Sequence, residues 1–424
     1  MIYFSSGNLE SFLSEYELQE AIFSSLAKLG IKKKVLAIPP DFTRYHSQAG
    51  LLTKFVYKYY KEALTDILPA LGTHSPMTSA EITKMYSGIP ADLFRVHNWK
   101  RDLVTLGEVP SDYIKEVSEG RVNYSWPAQV NKLLVDGDYD LILSIGQVVP
   151  HEVVGMANYN KNIFVGTGGQ EGINKSHFLG AVYGMERMMG RADTPVRKVL
   201  NYASDNFAKH LPIIYVLTVV DKDKYGKLGV KGLFIGDDND AFNLAAELSL
   251  KVNFELLDEP LKKVVVYLDP SEFKSTWLGN KSIYRTRMAI ADGGELIIIA
   301  PGLKEFGEDK EIDRLIRKYG YVTTPEVLQF VKQNDELKNN LSAAAHLIHG
   351  SSEKRFKITY CPGNLTRQEI EGAHFNFGDI NKVTEKYHLD KFMDGINFLP
   401  DGEEVYYISN PALGLWAHKG RFNN

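Results

Sequence analysis

Two histidines with a lysine between them, His151, Lys161 and His177, lie in one stretch that also carries a glycine turn, Gly166-Thr-Gly-Gly. An imidazole has an unperturbed pKa of about 6.5, so it can take and return a proton at neutral pH, and it can also bind a metal. A further histidine stands in Gly72-Thr-His74, and a carboxylate and a guanidinium stand in Asp41-Phe-Thr43-Arg44. Arg44 offers forked donors that suit a phosphate or a carboxylate. Each residue alone has an ordinary reading. His74 and His151 could be satisfied by loop backbone, Lys161 could be solvated, His177 could lie on a helix surface and the glycines could be only a turn. The turn matches neither a dinucleotide nor a P-loop fingerprint, because Gly-Thr-Gly-Gly-Gln-Glu lacks the spacing and the Lys-Ser/Thr ending. What argues against coincidence is placement: His74, His151, Asp41 and Arg44 each follow an apolar run that reads as a strand. The pattern points to histidine acid/base chemistry in an interdomain cleft, with a divalent metal left open.

Those residues need a sheet to position them. The run 139–145 reads as a buried strand, which puts His151 just past a carboxyl end, where open α/β sheets bind ligands. Strands are predicted at 34–38, 66–71, 103–106, 162–165, 213–220 and 232–236, and helices over 8–29, 49–63 and 240–251. Thr78-Ser-Ala-Glu81 has capping-box spacing, which places His74 between a strand and a helix N-terminus. This alternation predicts an α/β fold: a larger N-terminal domain with a mostly parallel sheet and helices on both faces. The acidic Leu257-Asp-Glu-Pro260 reads as a boundary. After it, strands at 263–268, 295–300 and 356–360 and a helix near 282–291 predict a smaller C-terminal α/β domain. The expected division is 1–258 for cofactor and catalysis, 259–405 as a substrate-closing domain, and 406–424 as a tail returning to the first domain.

Composition bounds the partners. A chain of 424 residues is too long for one ordinary core. Lys plus Arg is 49 and Asp plus Glu is 53, and the difference, −4, gives no electrostatic reason to expect nucleic acid or a membrane surface. The single cysteine, Cys361, rules out an internal disulfide and a thiolate metal cluster. The N-terminus has no signal-peptide pattern and no apolar run reaches spanning length, so a cytoplasmic protein is expected.

The ordered set of motifs resembles the nickel-dependent lactate racemase family, and the match covers most of the chain. Asp41-Phe-Thr-Arg44 is similar to that family's Asp-x-Thr-Arg, and Gly72-Thr-His74 with Met77-Thr78 to its Gly-x-His loop. The family has a histidine ten residues before its cofactor-bearing lysine and another sixteen after it, the intervals of His151, Lys161 and His177. Two places depart. Ala157-Asn-Tyr-Asn-Lys161 replaces Ser-Gly-Gly-x-Lys, and Tyr284-Arg285-Thr-Arg287-Met288 replaces Tyr-Gln-x-x-Lys, while no tryptophan stands where the racemase has one near its substrate.

The resemblance implies an isomerase, a racemase or epimerase of 2-hydroxy acids. Its cofactor is a nickel pincer nucleotide, a pyridinium bis-thio mononucleotide. Lys161 would carry it covalently, with Asp41, Thr43 and Arg44 beside it and His177 as a metal ligand. His74 and His151 would be the acid/base pair, and Arg44, Tyr284, Arg285 and Arg287 would contact substrate. Cofactor-biosynthesis and nickel-insertion proteins are implied partners. The added arginines favour a sugar acid such as gluconate or mannonate. A small acid such as lactate is the alternative, and so is a non-catalytic homologue that binds the cofactor or a sugar acid. A metal hydrolase built on His74, His151 and Asp41 is the reading from another class.

Overall fold

The computed structural model describes residues 1–223 and 225–422. It is α/β and divides into two compact units, Met1–Leu179 with Gly190–Asn253, and Gly180–Met189 with the chain from Phe254 onward.

In the first unit the strands are β1 (Ile2–Gly7), β2 (Val35–Ile38), β3 (Leu64–Ile67), β4 (Leu103–Val109), β5 (Trp126–Asn131), β6 (Leu141–Gln147), β7 (Pro150–His151), β8 (Gly155–Met156), β9 (Ile213–Lys222) and β10 (Leu228–Gly236). Six form one sheet in the order β1-β10-β9-β6-β2-β3. From β3 to β9 the neighbours run parallel, and β10 and β1 add an antiparallel edge. Every residue of β2 and of β6 is buried, as expected of central parallel strands covered on both faces. The helix Glu15–Lys28 starts at a Ser14/Glu17 capping box and buries Leu18, Ile22 and Leu26 at four-residue spacing. Together with Leu52, Phe55 and Val56 of the helix Ala49–Tyr60, these side chains share a core with Val35, Ala37, Leu143 and Ile145.

Two sequence expectations shift their bounds in this unit, the helix over 8–29 being found at Glu15–Lys28 and the strand at 66–71 at Leu64–Ile67, and two change in kind. The run 103–106 does lie in a strand, but β4 pairs only with β5, in an antiparallel ribbon outside the main sheet. The segment 162–165 is not a strand. Asn162–Gly166 is a π-helical turn, closed by the Thr167 amide on the Asn162 carbonyl at 3.1 Å. An apolar run buried on all sides carries no periodicity to tell the two apart.

The second unit contains β11 (Phe254–Leu257), β12 (Leu261–Tyr267), β13 (Ile290–Ala300), β14 (Lys357–Pro362), β15 (Asn376–Phe377), β16 (Gly395–Phe398), β17 (Glu404–Ile408) and β18 (Leu415–His418). Its sheet has the order β15-β14-β13-β12-β17-β16, parallel throughout except at the β16 edge. The helix expected near 282–291 is instead two short turns, Thr276–Gly279 and Lys281–Tyr284. Pairing wins over helix propensity there: the Leu261 amide bonds the Ala289 carbonyl at 2.8 Å, and Ile290 pairs with Leu261. The tail expected to return to the first domain counts with the second unit, where β18 runs parallel to β11.

Candidate active site

Three adjacent strands, β6, β2 and β3, aim their carboxyl ends at one edge of the first sheet. Asp41 follows β2, His74 follows β3 and His151 follows β6, which is the edge where parallel sheets bind ligands. The Asp41 loop is fixed by its own turn and by buried Tyr86, whose hydroxyl donates to the Pro40 carbonyl at 2.5 Å. The His74 loop is fixed by the Gly72 amide, which bonds the Gly166 carbonyl at 2.8 Å. Gly72 has φ +56, a left-handed conformation that favours glycine. The glycine turn that follows Lys161 thus also braces the loop of His74.

Asp41 is buried and uses both carboxylate oxygens. One accepts the Thr43 amide at 3.1 Å and the Thr43 hydroxyl at 2.5 Å, and the other meets His74 Nδ1 at 2.6 Å. Burial would raise its pKa, but the His74 ring, the Thr43 hydroxyl and the Arg44 charge outweigh that and leave it below the ordinary carboxylate value. An ionised Asp41 can only accept, so Nδ1 of a neutral His74 carries the proton and Nε2 keeps its lone pair. His151 has the opposite arrangement. Its Nδ1 accepts the Val153 amide at 3.1 Å, which puts the proton of the neutral ring on Nε2. Burial, with Lys161, Arg44 and His177 nearby, holds the His151 pKa well below the ordinary histidine value.

Lys161 is half-buried, and burial together with the Arg44 charge brings its pKa down to about 8. A substantial fraction of its amine is therefore neutral near physiological pH. His177 lies on the helix Gln170–Tyr183 and donates Nδ1–H to the Ile173 carbonyl at 2.7 Å. Burial lowers its pKa to about 4, so the ring is neutral with Nε2 free to ligate. The Lys161 charge acts on both His151 and His177, His177 acts on His151, and Arg44, Asp41 and His74 also appear in their surroundings. The structure thus brings the six first-unit side chains together. Thr43 joins them as the group that holds Asp41.

One residue went unrecognised in the sequence. Glu152, directly after His151, places a carboxylate oxygen 3.6 Å from His151 Nδ1 and raises the pKa of His151, Lys161 and His177. The signal was the bare His-Glu pair. Among the described residues no group of three or more His, Cys, Asp or Glu side chains could hold a metal ion. The metal-hydrolase reading therefore lacks its ligand set. A metal that arrives with donors of its own needs only one further ligand, which His177 can provide.

The second-unit residues are differently employed. Arg285 is fully buried, and its guanidinium donates to the carbonyls of Ala412 at 3.1 Å and Gly414 at 3.0 Å. Arg287 pairs with Glu186 at 3.2 Å and donates to the Ser351 carbonyl at 3.2 Å. Tyr284 is buried in an apolar cluster with Met185, Met189, Met288, Leu415 and Ala417.

Residues 17–189 match the lactate racemase N-terminal domain. No curated protein matches the chain. Among solved structures, a protein from Thermotoga maritima aligns with a TM-score of 0.83 at 25% identity, over 97% of this chain and 100% of that one. The lactate racemase apoprotein from Thermoanaerobacterium thermosaccharolyticum aligns with a TM-score of 0.70 at 17% identity, over 96% and 93% of the two chains, and at that identity the likeness is one of fold.

Proposed function

We propose, on the premise that this chain belongs to the lactate racemase family through residues 17–189, that it is an isomerase inverting C2 of a 2-hydroxy acid. The observation that carries this reading is the pair of oppositely set imidazoles, with a lone pair on His74 Nε2 and a proton on His151 Nε2. Inversion at C2 needs one group to take the hydroxyl proton as hydride leaves, giving a planar 2-keto acid. It needs a second group to give a proton back when hydride returns to the other face. His74 would fill the first role, and His151 the second once it has taken a proton from solvent, because its neutral ring carries only the Nε2–H and giving that up would leave an imidazolate; the reverse reaction exchanges the two roles.

The residues present fit a nickel pincer nucleotide, because Lys161 offers an amine that is partly neutral near pH 8 and His177 offers one free ring nitrogen. When bound, that group supplies a hydride acceptor and donor for C2. Lys161 would carry it, His177 would ligate its metal, and Arg44 would neutralise a phosphate or the substrate carboxylate. Asp41 and Thr43, read from the motif as cofactor contacts, serve here to orient His74. Delivery of such a group would call on cofactor-biosynthesis and nickel-insertion proteins. A sugar-acid substrate was favoured by Arg285 and Arg287, and both guanidiniums hold the second unit together. The substrate is accordingly assigned as a 2-hydroxy acid, with gluconate, mannonate and lactate as the first panel.

Peptide mapping of protein made in a host that has the cofactor pathway tests the reading. A sulfur-containing nucleotide adduct confined to Lys161, with nickel at up to about one per chain and turnover on the hydroxy-acid panel, is the expected result. Lys161→Ala is expected to lose adduct, nickel and activity together. An unmodified Lys161 in active protein overturns the assignment. Adduct and nickel without turnover on a broad panel favours the non-catalytic homologue.

A further inference from the structure

The lysine at the centre of the site is approached by an unusual piece of backbone. Asn158 and Tyr159 both have left-handed φ, +64 and +58. Asparagine tolerates that region, whereas for tyrosine it is a strained conformation that surroundings must impose. Here the surroundings are one face of the helix Pro195–Ala203 and its continuation. Thr194, its N-cap, donates to the Val154 carbonyl at 3.1 Å. Arg197 donates to the carbonyls of Met156 at 2.7 Å and Asn158 at 3.2 Å, and to the side-chain oxygen of Asn160. Asn201 and Ser204 accept from the Asn160 amide group at 2.7 and 3.1 Å. Steps of three, four and three residues put these four side chains on one helical face.

Arg197 is the unusual member. It is 1% exposed, and its hydrogen-bond partners among the described residues are carbonyls and an amide, with no carboxylate. Burial pulls its pKa down to about 9. An uncompensated buried charge is costly, and its planar fork is what reaches several acceptors at once. Its guanidinium carbon lies 4.3 Å from the centre of the Phe242 ring, which in turn stacks on Tyr159 at 5.2 Å. On the far side of Lys161, Asn162 is tied to the Ile38 carbonyl at 2.9 Å and the Ser144 hydroxyl at 3.0 Å. Lys161 therefore sits between two anchored asparagines.

We propose that Arg197 is a positioning residue: it locks the left-handed Asn158-Tyr159 turn, and so fixes the direction from which Lys161 offers its amine. The value of that direction rests on the reading of Lys161 as an attachment point, but the lock itself is a property of this chain with or without a cofactor. Hydrogen exchange across 154–162 and the rate of Lys161 acetylation by an N-hydroxysuccinimide ester, mapped by peptide, read it directly. Arg197→Met and Arg197→Lys are both expected to lose protection in this segment, and to acetylate Lys161 about tenfold faster, approaching the exposed lysines. Thermal melting identifies any variant that fails to fold, and Asn201→Ala, which removes one tie on Asn160, then carries the test with a smaller shift in the same direction. Wild-type exchange and labelling in Arg197→Lys overturn the proposal, because a charge alone would then suffice. Loss of the lock with no adduct ever found at Lys161 supports the proposal while removing the assignment of cofactor attachment.

Discussion

The role proposed for His74 rests on a neighbour that the motif places at the cofactor. A histidine ring held through Nδ1 by a buried, ionised carboxylate has one tautomer and one direction, and Asp41 supplies both. Asp41→Asn keeps the shape but removes the charge that fixes the tautomer, so turnover is expected to fall by about 10²- to 10⁴-fold, the range of general acid/base contributions. The fall should appear in kcat more than in KM, measured in both directions by chiral chromatography. On the proposed mechanism an inversion would use both rings, so His74→Ala and His151→Ala are each expected to abolish steady turnover in both directions. A variant that keeps near-full activity removes that histidine from the mechanism. The residue types and spacings that name these groups are visible in the sequence. The pairing of Asp41 with His74 is not, because it joins loops from two strands through a sheet order that no local pattern encodes.

At the scale of elements, legibility follows burial. The fully buried parallel strands and the capped helices were read from their apolar runs and punctuation, and the Thr78/Glu81 capping box is formed as its spacing implied. The segment after Lys161 was misread as a strand because its fold is decided by polar anchors, not by periodicity. Asn162 holds the π-helical turn to the end of β2 and the middle of β6, and the Cβ of an alanine at Gly168 would lie 1.9 Å from the Phe164 carbonyl oxygen. Asn162→Ala is therefore expected to cost about 1–3 kcal/mol, the usual penalty for leaving buried polar groups unsatisfied. Urea unfolding measures it, and a loss within error would show that the turn stands without its anchor. A further sign lay in Thr194, Arg197, Asn201 and Ser204, whose helical spacing marks a polar stripe. What that stripe grips depends on a hairpin, β7–β8, too short to be recognised in advance.

For the molecule as a whole, the two units carry different burdens. The first holds the ionisable side chains of the site. In the second, Arg285 secures the C-terminal segment, so Arg285→Ala is expected to lower the melting temperature by exposing two carbonyls to an unfilled space, an effect independent of substrate. Acid stability belongs to the whole chain as well. His97 is buried, with Nε2 donating to the Gly168 carbonyl at 3.0 Å and Nδ1 accepting from Asn131 at 2.9 Å. Burial lowers its pKa, as it does for His151 and His177, the last to about 4. All three take up a proton more readily in the unfolded chain, where a histidine titrates near 6.5. Their contribution is therefore fully present above about pH 6.5 and is lost as the pH falls toward the folded values, the unfolded state binding more protons throughout that window. Each such proton adds a slope of up to about 1.4 kcal/mol per pH unit. Urea midpoints of cofactor-free protein at pH 7.5, 6 and 5 are expected to fall steadily. His97→Gln is expected to flatten that slope by up to one proton's worth, whatever it does to stability at pH 7.5. An unchanged slope in His97→Gln would mean that His97 contributes nothing to the acid limb, and that protonation elsewhere opens the fold first.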